Sequence, residues 1–274
     1  MITALLLLLP LLFSLLIILL KKQKWIRPLA LFASFAELLV ALYGLFLYIT
    51  RCRCNWILDP GWDESLHVSF RFGVDNLSLI LIMITTSLLI LFVIFSFGSD
   101  DTKPAKFYSR ILLLEMAMIG IFTTTDGIFF FLFLQMILLI LSSSILHPPS
   151  SIFRHPSSVL RHPYRTLTIL SSILLLAALL FLFSRSPAPK SFEIIYLYAA
   201  HLSVSEQAWI LAAFVISFGS FLLILLFNFL QKKAFAKANL FKTLLLLGII
   251  LEMIVYGILR LMLPICAEVL KKIT

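Results

Sequence analysis

Asn76 to Phe97 reads NLSLILIMITTSLLILFVIFSF, a run without one ionisable side chain. A helix needs roughly 20 consecutive apolar residues to cross the hydrocarbon core of a bilayer. This run meets that length, with Asp75 just before it as a polar edge. Outward from it, runs of the same kind recur at 2–20, 29–50, 108–125, 127–146, 166–184, 207–230 and 243–266, parted by short polar breaks. Alternating strands of roughly ten residues, the mark of a membrane barrel, are not visible in the sequence. The predicted fold is therefore all-α: a polytopic transmembrane helical bundle of about eight spans.

Composition agrees. The 274 residues are 62% hydrophobic and 13% charged, with a mean hydropathy of +1.10. Water-soluble domains carry about 25% charged residues, so this surface needs lipid. The reading is one transmembrane domain over 1–274. Within it, 1–71 holds the first two spans and an outer loop. The net charge of +9 does not read as nucleic-acid binding, because no basic stretch carries a binding motif. The basic residues sit in short loops beside spans, where orientation rules put them. Cys52 and Cys54 are too close in sequence to bridge comfortably, and Cys266 lies in or near a span, so no disulfide framework or metal set is expected. The opening run MITALLLLLPLLFSLLIILL has no positive residue before it and is followed by KKQKWIR. It reads as a retained span rather than a signal peptide, and Pro10 inside it is tolerable in a membrane helix.

Counting Lys and Arg by loop gives an orientation. One side collects Lys21, Lys22, Lys24 and Arg27, then Lys103, Lys106 and Arg110, then Arg154, Arg161 and Arg165, then Lys232, Lys233, Lys237 and Lys242. The other has only Arg51, Arg53, Arg71, Arg185, Lys190, Arg260, Lys271 and Lys272. The richer side is expected to be cytoplasmic, which puts both termini outside. In the first outer loop, Trp56 and Trp62 read as interface anchors beside Phe70, Asp59, Asp63 and Glu64. Between the fourth and fifth spans Asp126 and Gly127 alone must turn the chain. Gly is expected to supply an unusual backbone angle there, and Asp to bond neighbouring amides. The loop His147–Arg165, HPPSSIFRHPSSVLRHPYR, is dense in proline, which predicts no regular helix. Its basic charge suits anionic headgroups, and its histidine spacing fits no metal-ligand pattern.

Ionisable residues inside spans point to function by default, because burying them is costly. The acidic ones are Glu37, Glu115 and Glu252. Asp75 and Asp126 lie at span ends and read as caps. Glu115 admits two roles, proton relay or interhelical hydrogen bond. Glu252 lies four residues before Tyr256, hence on one helical face, where it is expected to accept the phenol's hydrogen bond or meet a neighbouring chain. Gln135 and Ser142 form a polar stripe of the kind that joins helices. Ser217, Gly219 and Ser220 suit either a bend or a close helix approach.

Several blocks together resemble a known family. Phe72-Gly73-Val74-Asp75-Asn76-Leu77-Ser78-Leu79 is similar to the FGVDGLSL that opens the third span of the antiporter-like subunits of respiratory complex I, specifically chain M, or subunit 4 in mitochondria. Leu113-Leu114-Glu115 and Asp126 fall on that family's LLE and LD. Phe131 to Met136 falls on its YLFWEL/M, and Tyr256-Gly257-Ile258-Leu259-Arg260 on its YGLLR. The likeness covers most of 72–265, while the first spans match only in character.

The resemblance implies a proton-translocating membrane arm, with a glutamate on span five and lysines on spans seven and eight. Carried over residue by residue, that relay fails here. The glutamate falls on Gln135, its neighbouring Trp on Leu134, the span-seven lysine on Phe221, the proline after it on Leu223, and the span-eight lysine on Glu252. The HTWLPDAH stretch that follows becomes Asn228–Phe235 without a histidine. The family's second, inverted set of helices has no counterpart in these residues. A relay needs groups that titrate, and Gln and Phe do not.

The expectation is a diverged membrane-arm subunit of an NADH–quinone oxidoreductase, structural rather than pumping, in a bacterial inner membrane. The other membrane-arm subunits and the lipid bilayer would be its partners. Glu115 and Glu252 are the candidate proton-relay residues if a rearranged path exists. No NADH, flavin or iron–sulfur site is expected, since the family keeps those on other subunits. The alternative is a standalone small transporter or scaffold.

Overall fold

The computed structural model describes residues 2–20, 23–51, 56–58, 68–97, 104–141, 158–231 and 237–273. Its helices are α1 (Ile2–Leu19), α2 (Ile26–Arg51), α3 (Asn76–Phe95), α4 (Pro104–Thr123), α5 (Gly127–Ile140), α6 (Ser158–Arg185), α7 (Ile194–Tyr198), α8 (Val204–Gln231) and α9 (Lys237–Gly257). A π-helical turn, Ile258–Met262, carries α9 into the short α10 (Leu263–Ile265) and α11 (Ala267–Ile273). The protein is all-α and membrane-like. Among the described residues one two-stranded element pairs β1 (Trp56–Leu58) antiparallel with β2 (Phe72–Val74), Ile57 opposite Gly73.

Each of the eight apolar runs lies at one of the long helices, α1 to α6, α8 and α9. Among the described residues, five segments are long and apolar enough to cross a membrane: Ile2–Leu19, Gln23–Thr50, Asn76–Phe95, Val204–Leu223 and Leu244–Ile265. α4 has the length, 20 residues, but carries Lys106, Arg110 and Glu115. α5 and the apolar part of α6, Ile169–Arg185, are shorter.

Lipid explains the surface. Leu19, Ile49 and Trp209 are 76, 73 and 79% exposed, and large side chains along the outer faces of α1, α2 and α8 join them. Apolar surface so extensive on a water-soluble chain would aggregate. The opposite helix faces meet in one core in which α4 is central, packed on α1, α2, α3, α5 and α9. Ile111, Leu112, Ala117, Met118, Ile119, Ile121 and Phe122 of α4 are all fully buried.

Small residues set the closest approaches. A Cβ at Gly120 would come within 2.6 Å of the Phe133 ring, and one at Gly257 within 2.5 Å of the Phe218 ring. Pro10 sits inside α1, as expected, and is buried.

Two local expectations are corrected. Gly127 adopts no left-handed backbone. It opens α5 as an ordinary helical residue in a tight place, where a Cβ would lie 3.1 Å from Leu197 Cδ1 and 3.4 Å from the Phe192 carbonyl oxygen. The proline-rich loop is also shorter than expected, since α6 begins at Ser158 and runs through Pro163. A proline so near a helix start removes one backbone bond with little helix before it to break. Residues 147–157 of that loop, Ser142, Cys52, Cys54, Asp59, Trp62, Asp63 and Glu64 lie outside the described residues.

Candidate functional site

The polar residues fall into two groups, one at helix ends and one inside the bundle. In the first, Asp75 is the N-cap of α3: its Oδ1 accepts the Ser78 amide at 2.8 Å. A cap of this kind satisfies one of the amides that a helix start leaves without a partner. Its other oxygen accepts from Arg260 Nη1 at 2.7 Å, so an ion pair ties the start of α3 to the π-turn after α9. Tyr198 of α7 donates to the Arg260 carbonyl at 2.5 Å.

Asp126 caps α5 the same way. It accepts the amides of Ile128 at 2.8 Å and Phe129 at 3.4 Å, and its Oδ2 accepts the Ser69 amide at 3.0 Å. Glu193 then accepts from the Ser69 hydroxyl at 2.7 Å and from Arg71 at 2.9 Å. Phe70 packs edge-on against Phe129, with ring centroids 4.8 Å apart. Both aspartates are caps, as the sequence suggests.

Their electrostatics differ. Burial alone would raise the Asp75 carboxyl, but the hydrogen bonds from Ser78 and the charge of Arg260 outweigh it and hold it below the ordinary aspartate value. At Asp126 burial wins against the three amide bonds, with the nearby Glu193 charge adding to it, and the carboxyl is pushed up.

Inside the bundle the carboxylates have few partners. Glu252 on α9 accepts from Thr85 Oγ1 on α3 at 2.7 Å, and its second oxygen is buried without a hydrogen bond. Tyr256 does not bond it. The phenol donates instead to the Phe122 carbonyl at 3.2 Å, because its ring packs edge-on to Phe122. Glu115 on α4 is fully buried and accepts from Ser34 of α2 at 3.5 Å. Glu37 lies on the same side of α2, three residues beyond Ser34. It too is fully buried, neither of its oxygens has a hydrogen-bond partner, and its carboxyl interacts electrostatically with that of Glu115.

Gln135 and Phe221, onto which the resemblance carries relay groups, take part in packing. Gln135 Oε1 accepts from Ser172 Oγ at 2.9 Å, joining α5 to α6. Phe221 is buried in the core, whereas Leu223 points outward at 54% exposure. Ser217 donates to the Ser171 carbonyl at 3.0 Å and so joins α8 to α6, while Ser220 bonds the Ser217 carbonyl of its own helix and a Cβ at Gly219 would meet nothing within 4 Å. Asn228–Phe235 straddles the limit of the described residues and contributes no side-chain geometry.

Of the candidate relay residues, Glu115 and Glu252 are not brought together: among the described residues no hydrogen bond links them, and each pairs with a different helix. Sequence reading missed the partnership of Glu37 with Glu115. The nearest signal was the one-turn spacing of Ser34 and Glu37, two polar residues on one face of an apolar helix. The facing of α2 and α4, whose polar contact spans 81 residues of sequence, could not be read from that. Cys266 is buried, with its thiol 3.6 Å from the Gln207 carbonyl.

Fold and site together define a polytopic helical membrane protein whose interior polar groups are carboxylates, an amide and hydroxyls. Comparison with known proteins gives the relationship. No family model matches the chain. Subunit M of the NADH-quinone oxidoreductase of Rickettsia conorii is 25% identical over 215 residues, 76% of this chain and 41% of that protein. Chain 4 of the NADH-ubiquinone oxidoreductase of Chondrus crispus is 26% identical over 256 residues, 92% of this chain and 50% of that protein. A chain of respiratory complex I from Thermus thermophilus has the same fold over 99% of this chain and 55% of its own, at a TM-score of 0.74 and 20% identity. The chain thus resembles the antiporter-like chain M family over most of its length, as the motifs suggest. It spans about half the length of the curated relatives it matches.

Proposed function

We propose that the chain is a membrane-arm subunit of an NADH–quinone oxidoreductase, or of a related antiporter-like complex, and that its role there is structural. The observation that supports this reading is the state of the relay positions. Where the resemblance puts a titrating glutamate, Gln135 is engaged with Ser172 in joining two helices. Where it puts a lysine, Phe221 is core. At the third position Glu252 has the opposite charge and is bonded to a neighbouring helix. A charge relay needs successive groups that exchange a proton, and a hydrogen-bonded amide and a phenyl ring break it. In this reading the helices sit as eight spans, with both termini outside a bacterial inner membrane and the other membrane-arm subunits as neighbours.

The test is proton translocation driven by quinone reduction in membranes carrying the complex. Glu252→Gln and Gln135→Ala are expected to leave the proton yield per quinone unchanged. A fall in that yield at unchanged quinone reduction and unchanged amount of assembled complex would overturn the structural role.

A further inference from the structure

Glu37 and Glu115 sit on facing helices, α2 and α4, away from the relay positions that the resemblance implies on spans five, seven and eight. Ser34, one turn from Glu37 on α2, is within 3.5 Å of Glu115 Oε2. Both glutamates are fully buried. Glu115 Oε1 and both oxygens of Glu37 have no hydrogen-bond partner at all. Among the described residues neither carboxyl has a cationic partner, in contrast to Asp75, Glu193 and Glu206, which pair with Arg260, Arg71 and Arg185.

Three unpartnered acceptor atoms in an apolar interior are a large cost, because each has left water without replacing the bond it lost there. Two carboxylates within electrostatic range of each other add repulsion, which no water screens at this depth. One positive charge placed between them answers both problems. A proton gives a carboxyl–carboxylate hydrogen bond and leaves one negative charge for Ser34 and its surroundings. A small alkali ion is the other bearer of the same chemistry, with the carboxylate oxygens and the Ser34 hydroxyl forming an all-oxygen donor set of the kind hard cations take.

We propose that Glu37, Glu115 and Ser34 form a binding site for a single monovalent cation that bridges α2 to α4. The site is separate from the Gln135, Phe221 and Glu252 positions and does not depend on the complex in which the chain works.

Infrared difference spectroscopy on the full chain, purified with whatever subunits accompany it, counts protonated carboxyls directly. The probe is the carboxylic C=O band lost between wild type and Glu37→Gln/Glu115→Gln at neutral pH, measured in Na+ and again in K+ buffer. Loss of one protonated carboxyl, the same in both buffers, is expected if the cation is a proton. Loss of none, with carboxylate bands that shift when Na+ is exchanged for K+, identifies an alkali ion and also supports the site. Loss of two protonated carboxyls overturns the proposal, as does loss of none without any response to the ion. Because Gln is isosteric with Glu, the double variant is expected to fold. If it does not, the same count on the two single Gln variants, each expected to lose the shared-proton band or the ion response, decides the matter.

Discussion

The helix ends of the bundle and its interior handle charge in opposite ways. At the helix ends Asp75, Asp126 and Glu193 each have a defined partner set: Asp75 the Ser78 amide and Arg260, Asp126 three amides, Glu193 Ser69 and Arg71. In the interior Glu37, Glu115 and Glu252 each keep at least one oxygen without a partner. The first arrangement fixes helix ends and their angles. The second contributes little to geometry at considerable electrostatic cost, which is the usual mark of a binding group rather than a brace. The contrast also separates two halves of the family likeness. The motif residues Asp75, Asp126 and Arg260 hold helix ends, and on the proposed reading Gln135 and Phe221, where the resemblance puts relay groups, serve packing.

The comparison breaks most readily at Asp126. Asp126→Ala removes three amide partners at once, with an expected loss of about 3 kcal/mol read as a lower midpoint of thermal unfolding in detergent. Next comes Arg260→Ala. The pair it breaks is about 30% exposed on each side, so a loss of about 1 to 2 kcal/mol is expected, below the value for a fully buried pair. Asp75→Asn/Arg260→Gln should recover part of that. A stability change at Arg260 within measurement error would show that the rim is not a brace.

The smallest effects belong to the interior. Glu37→Gln and Glu252→Gln keep shape and one acceptor oxygen, and each is expected to change stability by less than about 0.5 kcal/mol. Interior changes as large as those at the rim would erase the distinction between braces and binding groups.

Acidity sharpens it further. Asp75 is held below its ordinary value in the folded protein. Its stabilisation is therefore present above the unfolded-state aspartate pKa and is lost as pH falls through the lower folded value. Asp126 is pushed up, so its contribution runs the other way, greatest at low pH and declining as pH rises through the raised folded value. Thermal midpoints against pH should thus change slope in opposite senses in Asp75→Asn and Asp126→Asn, relative to wild type.

Much of this architecture was legible in the chain. Apolar runs marked the long helices, because burial in lipid demands length and composition that can be read directly. Asp75 and Asp126 read as caps, because a short acceptor before an apolar run has a local task within three residues. What could not be read was side-to-side. The spacing that puts Glu252 and Tyr256 on one face says nothing about whether they bond, and packing against Phe122 turned the phenol away. Glu37 and Glu115 belong to different helices, and an apolar surface carries no pattern that tells which neighbour each face meets. Gly127 was misread for a related reason. A glycine at a turn suggests an unusual angle, but here the feature is crowding by side chains from other elements, Leu197 and Leu179, around the place of a Cβ.

The central claim is that the chain belongs structurally to a membrane arm. The most direct measurement is a mild-detergent purification of the tagged chain from its own membrane, with mass spectrometry of what accompanies it. The account predicts that other membrane-arm subunits come with it in fixed proportion. Recovery of the chain alone, from a membrane where the complex is intact, would contradict it.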